Sequence, residues 1–84
     1  MIVGTDTNNI IIFQTNNLER ARYDTNGNLL HGMTAAATGA AKTIHLANAT
    51  VPTGNPSGGG VIYVENGALK YRGSSGTVTT IANA

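Results

Sequence analysis

The chain contains no cysteine and no tryptophan, and only two prolines, one phenylalanine and three tyrosines. Without cysteine, neither a disulfide nor a thiolate metal site can brace a small fold, and cysteine usage says nothing about compartment. Charge is equally sparse, with five Lys or Arg against four Asp or Glu and a formal net charge of +1. No basic run exists, so the electrostatic footprint of a nucleic-acid or anionic-membrane binder is missing. The longest run of large apolar residues, Ile10 to Phe13, is far too short to cross a bilayer. Neither nucleic acid nor membrane insertion is therefore expected. The N-terminal stretch MIVGTDTNN lacks a basic segment followed by an apolar one, so no secretory leader is expected there. With 11% charged residues the chain does not read as a solvated disordered tail, which is normally charge-rich.

What is present is small, polar and β-branched. Of 84 residues, 34 are apolar, but 11 of those are alanine, leaving 23 that can fill a core. Gly, Asn, Thr and Ser together number 36. A chain this short buries only about 60% of its unfolded surface as a monomer. Small natural domains make up the shortfall with disulfides, a metal or subunit association. The first route is closed.

Ile, Val, Thr and Tyr separated by Asn-Gly and Gly-rich punctuation predict an all-β chain of short strands and hairpins. The clearest unit is Val61 to Arg72, VIYVENGALKYR, where Asn66-Gly67 supplies the two positive-φ residues of a type I′ turn. Closure there pairs Glu65 with Ala68, Val64 with Leu69, Tyr63 with Lys70, Ile62 with Tyr71 and Val61 with Arg72. One face then carries Ile62, Val64, Leu69 and Tyr71 and is expected inside, with Tyr63, Glu65, Lys70 and Arg72 opposite. A second hairpin spans Leu18 to Leu30 around Asp24-Thr25-Asn26-Gly27. It closes either through a type I turn with a glycine bulge or through a two-residue Asn-Gly turn, setting Tyr23 against Leu29 or Leu30. Asn9 to Thr15 predicts a strand, and its unbroken Ile10 to Phe13 implies burial on both faces, which needs more protein than one small subunit supplies.

Thr34 to Ala41, TAAATGAA, could open a helix capped by Thr34, but Gly39 and the short length weaken that reading. The alternative is a run of small side chains that lets neighbouring chains approach closely. Lys42 to Leu46 alternates, with Ile44 and Leu46 on one face and Thr43 and His45 on the other. The whole chain, 1–84, is expected to be a single small β-structured module, with a turn-rich connector at 52–60.

The inventory for chemistry is short. His31 and His45 lie in different segments with no metal-ligand spacing between them. A ring of His45 side chains about a threefold axis is the remaining route to a metal. Asp24-Thr25-Asn26-Gly27-Asn28 has the alternating oxygens of a calcium loop, but its glycine comes too early and no bidentate Glu follows. A turn-forming role explains Asp24 more simply. Gly58-Gly59-Gly60 is followed by strand residues rather than by Lys-Ser or Lys-Thr and a helix, so it does not read as a phosphate loop. Arg20 and Arg22 share a strand face, with Glu19 opposite and no pair within the strand. Those arginines and Tyr63 could form a subunit contact or an acidic-glycan patch. No Ser, His and acid are placed together. No catalytic residue, metal site or cofactor is assigned, and the chain is not expected to be an enzyme.

Two segments carry a resemblance. Asn17 to Leu29, NLERARYDTNGNL, resembles the "ERMRID..GNVGIG" module common in bacteriophage tail-fibre and tail-spike proteins. The closing segment Val51 to Ala84, VPTGNPSGGGVIYVENGALKYRGSSGTVTTIANA, is similar to the C-terminal segment of many phage fibre and virion proteins. Where the first module usually continues VGIGT, this chain has Leu29-Leu30-His31-Gly32-Met33-Thr34. The resemblance implies a non-enzymatic virion component whose chains intertwine as a homotrimer and contact other virion proteins of tail or capsid. Three roles follow from it: a short trimeric tail fibre or fibre module, a capsid decoration (cement) protein, to which the short length is suited, or a tip that binds a host surface glycan.

Overall fold

The computed structural model describes residue 4 and residues 7–84, so much of the stretch on which the leader reading rests, residues 1–3, 5 and 6, lies outside the described residues. Those residues form an all-β chain with no helix. It divides into two units, Met1–Ala47 and Asn48–Ala84. The division falls upstream of the 52–60 connector, which belongs to the second unit.

The first unit holds a four-stranded sheet in the order β1 (Ile11–Thr15), β2 (Leu18–Tyr23), β3 (Leu29–His31), β4 (Ile44–Leu46). Asn16 and Asn17, at φ 52° and 58°, turn β1 into antiparallel β2. Asparagine enters this left-handed region more readily than other residues with side chains, which is what a two-residue type I′ turn demands. Near the turn Gln14 pairs with Glu19, whereas Phe13 pairs with Ala21, so Arg20 is an extra residue in a β-bulge. That bulge overturns the expected separation of Glu19 from the arginines. One inserted residue reverses the alternation and brings Glu19 to Arg22, with oxygen–nitrogen distances of 2.6 and 2.7 Å.

The β2–β3 turn takes the glycine-bulge form. Gly27, at φ 79°, donates to the Asp24 carbonyl, Asp24 N donates to the Asn28 carbonyl, and Tyr23 is set against Leu29. Segment 34–41 is not helical; it is a loop tightened by a turn in which Ala40 N donates to the Ala37 carbonyl. It belongs to the crossover that lets β4 run parallel to β3, pairing Leu29 with Ile44 and Leu30 with His45.

The second unit is a three-stranded antiparallel sheet, β5 (Val61–Glu65), β6 (Ala68–Arg72), β7 (Val78–Ala82). The β5–β6 register is the predicted one at all five pairs, and Asn66 and Gly67 have φ of 49° and 82°. In β7, Ile81 is the extra residue of a bulge between the Leu69–Ala82 and Lys70–Thr80 pairs.

The faces are the unexpected part. Tyr63 is buried while Ile62 is 60% exposed, the reverse of the expected orientation. Arg72, in the register row beside Tyr63, explains it: its guanidinium donates to the Pro52 carbonyl at 3.2 Å and to Asn55 Oδ1 at 2.9 and 3.1 Å, holding the connector on that side. The first unit repeats the pattern. Leu30 is fully buried in the row of Arg22 and His45, whereas in the row of Tyr23, Leu29 and Ile44 the outer two are exposed, Ile44 at 72%, and Leu29 is half-buried. Ile10, Ile12 and Phe13 are exposed as well, so within one chain the expected two-faced burial of that run does not occur. Among the described residues, Leu30 and Tyr63 are the buried large apolar side chains, and eleven others are exposed.

Gly60 anchors the entry to β5 because the Tyr71 ring lies across it; a Cβ there would collide with the ring and its hydroxyl. Gly60→Ala is expected to destabilise the second unit by about 1–3 kcal/mol, the usual cost of overpacking. Thermal unfolding of the single and double variants checks this: Tyr71→Ala should remove most of the penalty of Gly60→Ala, and simple additivity would contradict the contact.

Candidate functional site

The most organised chemistry lies in the first unit and centres on Asn28, a fully buried side chain. Its Nδ2 donates to Asp24 Oδ2 at 2.9 Å and to the Ala40 carbonyl at 3.0 Å. Its Oδ1 accepts from Thr43 N at 3.0 Å and from Thr43 Oγ1 at 2.6 Å. All four hydrogen-bonding positions of the amide are used, and flipping it would set donor against donor and oxygen against oxygen. Because Thr43 Oγ1 gives its proton to Asn28, His45 Nδ1, 3.1 Å away, is the donor in its contact with that hydroxyl. His45 Nε2 then accepts from Ala37 N at 3.1 Å. The chain of bonds has one direction, from Ala37 through His45 and Thr43 to Asn28 and on to Asp24.

Asp24 closes the network. Its Oδ1 accepts from Asn26 N at 3.0 Å and from Asn28 N at 2.9 Å, an Asx turn extended by one further bond. The Asn28 side-chain amide, then the backbone N–H of Asn28, hold the Asp24 carboxyl below its ordinary range, and burial opposes them only in part. Glu19 is lowered too, chiefly by its hydrogen bond from Arg22.

These bonds pin loop 36–41 opposite the Asp24 turn, and between them is an open cleft of about 440 Å³ lined by Asp24, Asn26 and the loop. Its walls offer one carboxylate, one exposed side-chain amide, the Thr38 hydroxyl and alanine methyls. Asp24 is the one titratable side chain of that lining.

The structure places the residues singled out in the sequence as follows. The Asp24 oxygens are taken by N–H donors, as a turn role requires and a calcium loop does not. Both His45 nitrogens are engaged, which leaves the threefold metal ring no free lone pair. No group of three or more His, Asp or Glu that could hold a metal occurs among the described residues. The proposed patch of Arg20, Arg22 and Tyr63 is not available as imagined: Tyr63 is buried in the second unit and Arg22 is paired with Glu19, leaving Arg20 exposed with its Nε on Thr15 Oγ1. Asn28 and Thr43 carry the site, although the sequence offered Asn28 only within the calcium-loop pattern and Thr43 only as a residue of a strand face. Fifteen residues separate them, and no local pattern announces the pairing.

No known protein family matches the chain, and no curated protein does. Among solved structures it is similar to a hyaluronidase from Streptomyces koganeiensis, with 34% identity and a TM-score of 0.44. That alignment covers 100% of this chain and 51% of the other, so the chain spans about half the length of the hyaluronidase. At that TM-score the likeness carries no argument about fold or activity.

Two outcomes test the site. Asn28→Ala should cost at least about 2 kcal/mol, since Thr43, Asp24 and Ala40 lose their shared partner, and Asn28→Asp should do no better because it sets a second carboxylate beside Asp24 and the Ala40 carbonyl. Chemical denaturation reads both, and a near-neutral Asn28→Ala would contradict the network. Because the Asp24 pKa is lowered on folding, its stabilisation is present above the unfolded value and is lost as pH falls through the folded one, below about pH 4. The Asn26 and Asn28 backbone amide resonances should shift in that range in the wild type and stay flat in Asp24→Asn.

Proposed function

We propose that the chain is a non-enzymatic structural component of a bacteriophage virion, a short fibre or fibre module that works as an intertwined homotrimer in contact with other virion proteins. The observation that carries this reading is the orientation of the two sheets. Each keeps a polar row on the side its own loops cover and leaves apolar side chains of the other row exposed, Tyr23 and Ile44 beside half-buried Leu29 in one unit and Ile62 and Tyr71 beside half-buried Val64 and Leu69 in the other. Among the described residues the buried large apolar side chains are Leu30 and Tyr63, too few to hold such a chain by themselves. Copies that cover one another's apolar rows supply the missing burial without cysteine or metal.

The number three and the virion setting come from the resemblance of Asn17 to Leu29 and Val51 to Ala84 to phage fibre segments. The first covers β2 and the turn that leads to Leu29, the first residue of β3, and the second covers the connector and sheet of the second unit. A glycan-binding tip has less behind it, because Tyr63 is buried and two exposed tyrosines, Tyr23 and Tyr71, are left, one in each unit.

Size-exclusion chromatography with light scattering should give three times the 8.6 kDa chain mass. A folded monomer at micromolar concentration would overturn the trimer. Mass spectrometry of separated phage tails and capsids then distinguishes the roles. The fibre reading expects the chain in tails, and its presence only on capsids, saturating stripped particles, would favour the decoration protein instead.

A further inference from the structure

The sequence contains two Asn-Gly dipeptides, Asn26-Gly27 and Asn66-Gly67. Such pairs undergo a self-reaction because glycine has no Cβ to block its nitrogen. The glycine N attacks the asparagine Cγ and gives up its proton, and the side-chain nitrogen leaves as ammonia. The resulting five-membered succinimide then takes up one water, opening to aspartate or to isoaspartate. The fold treats the two sites differently.

Asn26-Gly27 is held from several directions. Asn26 N donates to Asp24 Oδ1, the Asn26 carbonyl accepts from Lys42 N, and Gly27 N donates to the Asp24 carbonyl. All of this is tied to the buried Asn28. Asn66-Gly67 instead forms the exposed tip of the β5–β6 hairpin, and Gly67 N donates to the side chain of Asn48, whose Oδ1 is 2.9 Å away. Asn48 is itself exposed and is positioned by the short parallel bridge it makes to Val64, next to the bond from Ala49 N to the Val64 carbonyl. The nitrogen that must attack is thus restrained by one solvent-accessible side chain.

We propose that Asn66 is a self-modification site of this protein, deamidating through attack by Gly67 N, and that Asn48 sets the rate by occupying that N–H. The modification matters structurally because isoaspartate inserts an extra carbon into the main chain. A two-residue turn tolerates no such insertion, so the Glu65–Ala68 and Val64–Leu69 pairs next to it lose their register. The hairpin that orients one apolar row therefore carries its own ageing reaction.

Incubation of the purified full chain at mildly alkaline pH, with peptide mapping by mass spectrometry, tests this. In the wild type, Asn66 should deamidate well before Asn26. Asn48→Ala should speed the Asn66 reaction by about fivefold, the factor expected for loss of one ordinary hydrogen bond. It should leave Asn26 unchanged, and Asn48→Asp, which keeps an acceptor oxygen, should restore the slow rate. Equal or faster loss of Asn26 in the wild type would overturn the site, a result that needs no variant to fold. An unchanged Asn66 rate in Asn48→Ala would overturn the role of Asn48.

Discussion

A fully buried side-chain amide must find partners for four hydrogen-bonding positions, and Asn28 finds them on three separate segments: the Asp24 turn, Ala40 of the crossover loop and Thr43 at the entrance to β4. That requirement decides where the crossover lies and hence which side of the first sheet it covers. Arg72 does the corresponding work in the second unit, where its guanidinium holds the connector at Pro52 and Asn55. In both cases a polar clamp, not an apolar contact, draws the loops onto the sheet. The polar rows become the covered rows as a result.

The consequence is an inversion of the usual economy of a small β protein, in which apolar rows are internal and polar rows meet water. Ile44 and Ile62 face outward while Arg72 and His45 sit beneath loops. Under the proposed role this is one arrangement seen from a single chain: clamps give each copy its local shape, and the apolar rows become internal where copies meet. The uncharged, β-branched stretch Val78–Ala82, exposed along its whole length, has the same character. An edge strand without Lys or Pro invites pairing with another chain.

Much of the backbone was legible in the sequence, and the reason is turn chemistry. Asn66-Gly67 specifies a two-residue type I′ turn, and from it the whole β5–β6 register follows by counting. Asp24 to Gly27 admitted two registers; the glycine-bulge form is adopted because it lets Asn28 pair with Asp24 across the turn. The Asn16-Asn17 turn, the Arg20 bulge and the parallel β4 were not legible, because each depends on an asparagine-only turn or on long-range pairing rather than on period-two patterning. In β5 and β6 alternation also identified which residues share a face, whereas in β2 the bulge broke it, and in neither unit did it say which face the chain would cover. That choice rests with Asn28 and Arg72, whose partners in the covering loops lie 12 to 20 residues away in sequence. The candidate site was invisible for the same reason, since its central residue is an asparagine inside a turn motif.

Under the proposed role the exposed apolar side chains are buried by association, so folding and assembly are one equilibrium. The dependence of the thermal unfolding midpoint on protein concentration reads this directly. If association completes the core, the midpoint rises steadily with concentration across the micromolar range, and unfolding and dissociation coincide. A cooperative transition whose midpoint does not move with concentration, from a species of 8.6 kDa, would contradict the account.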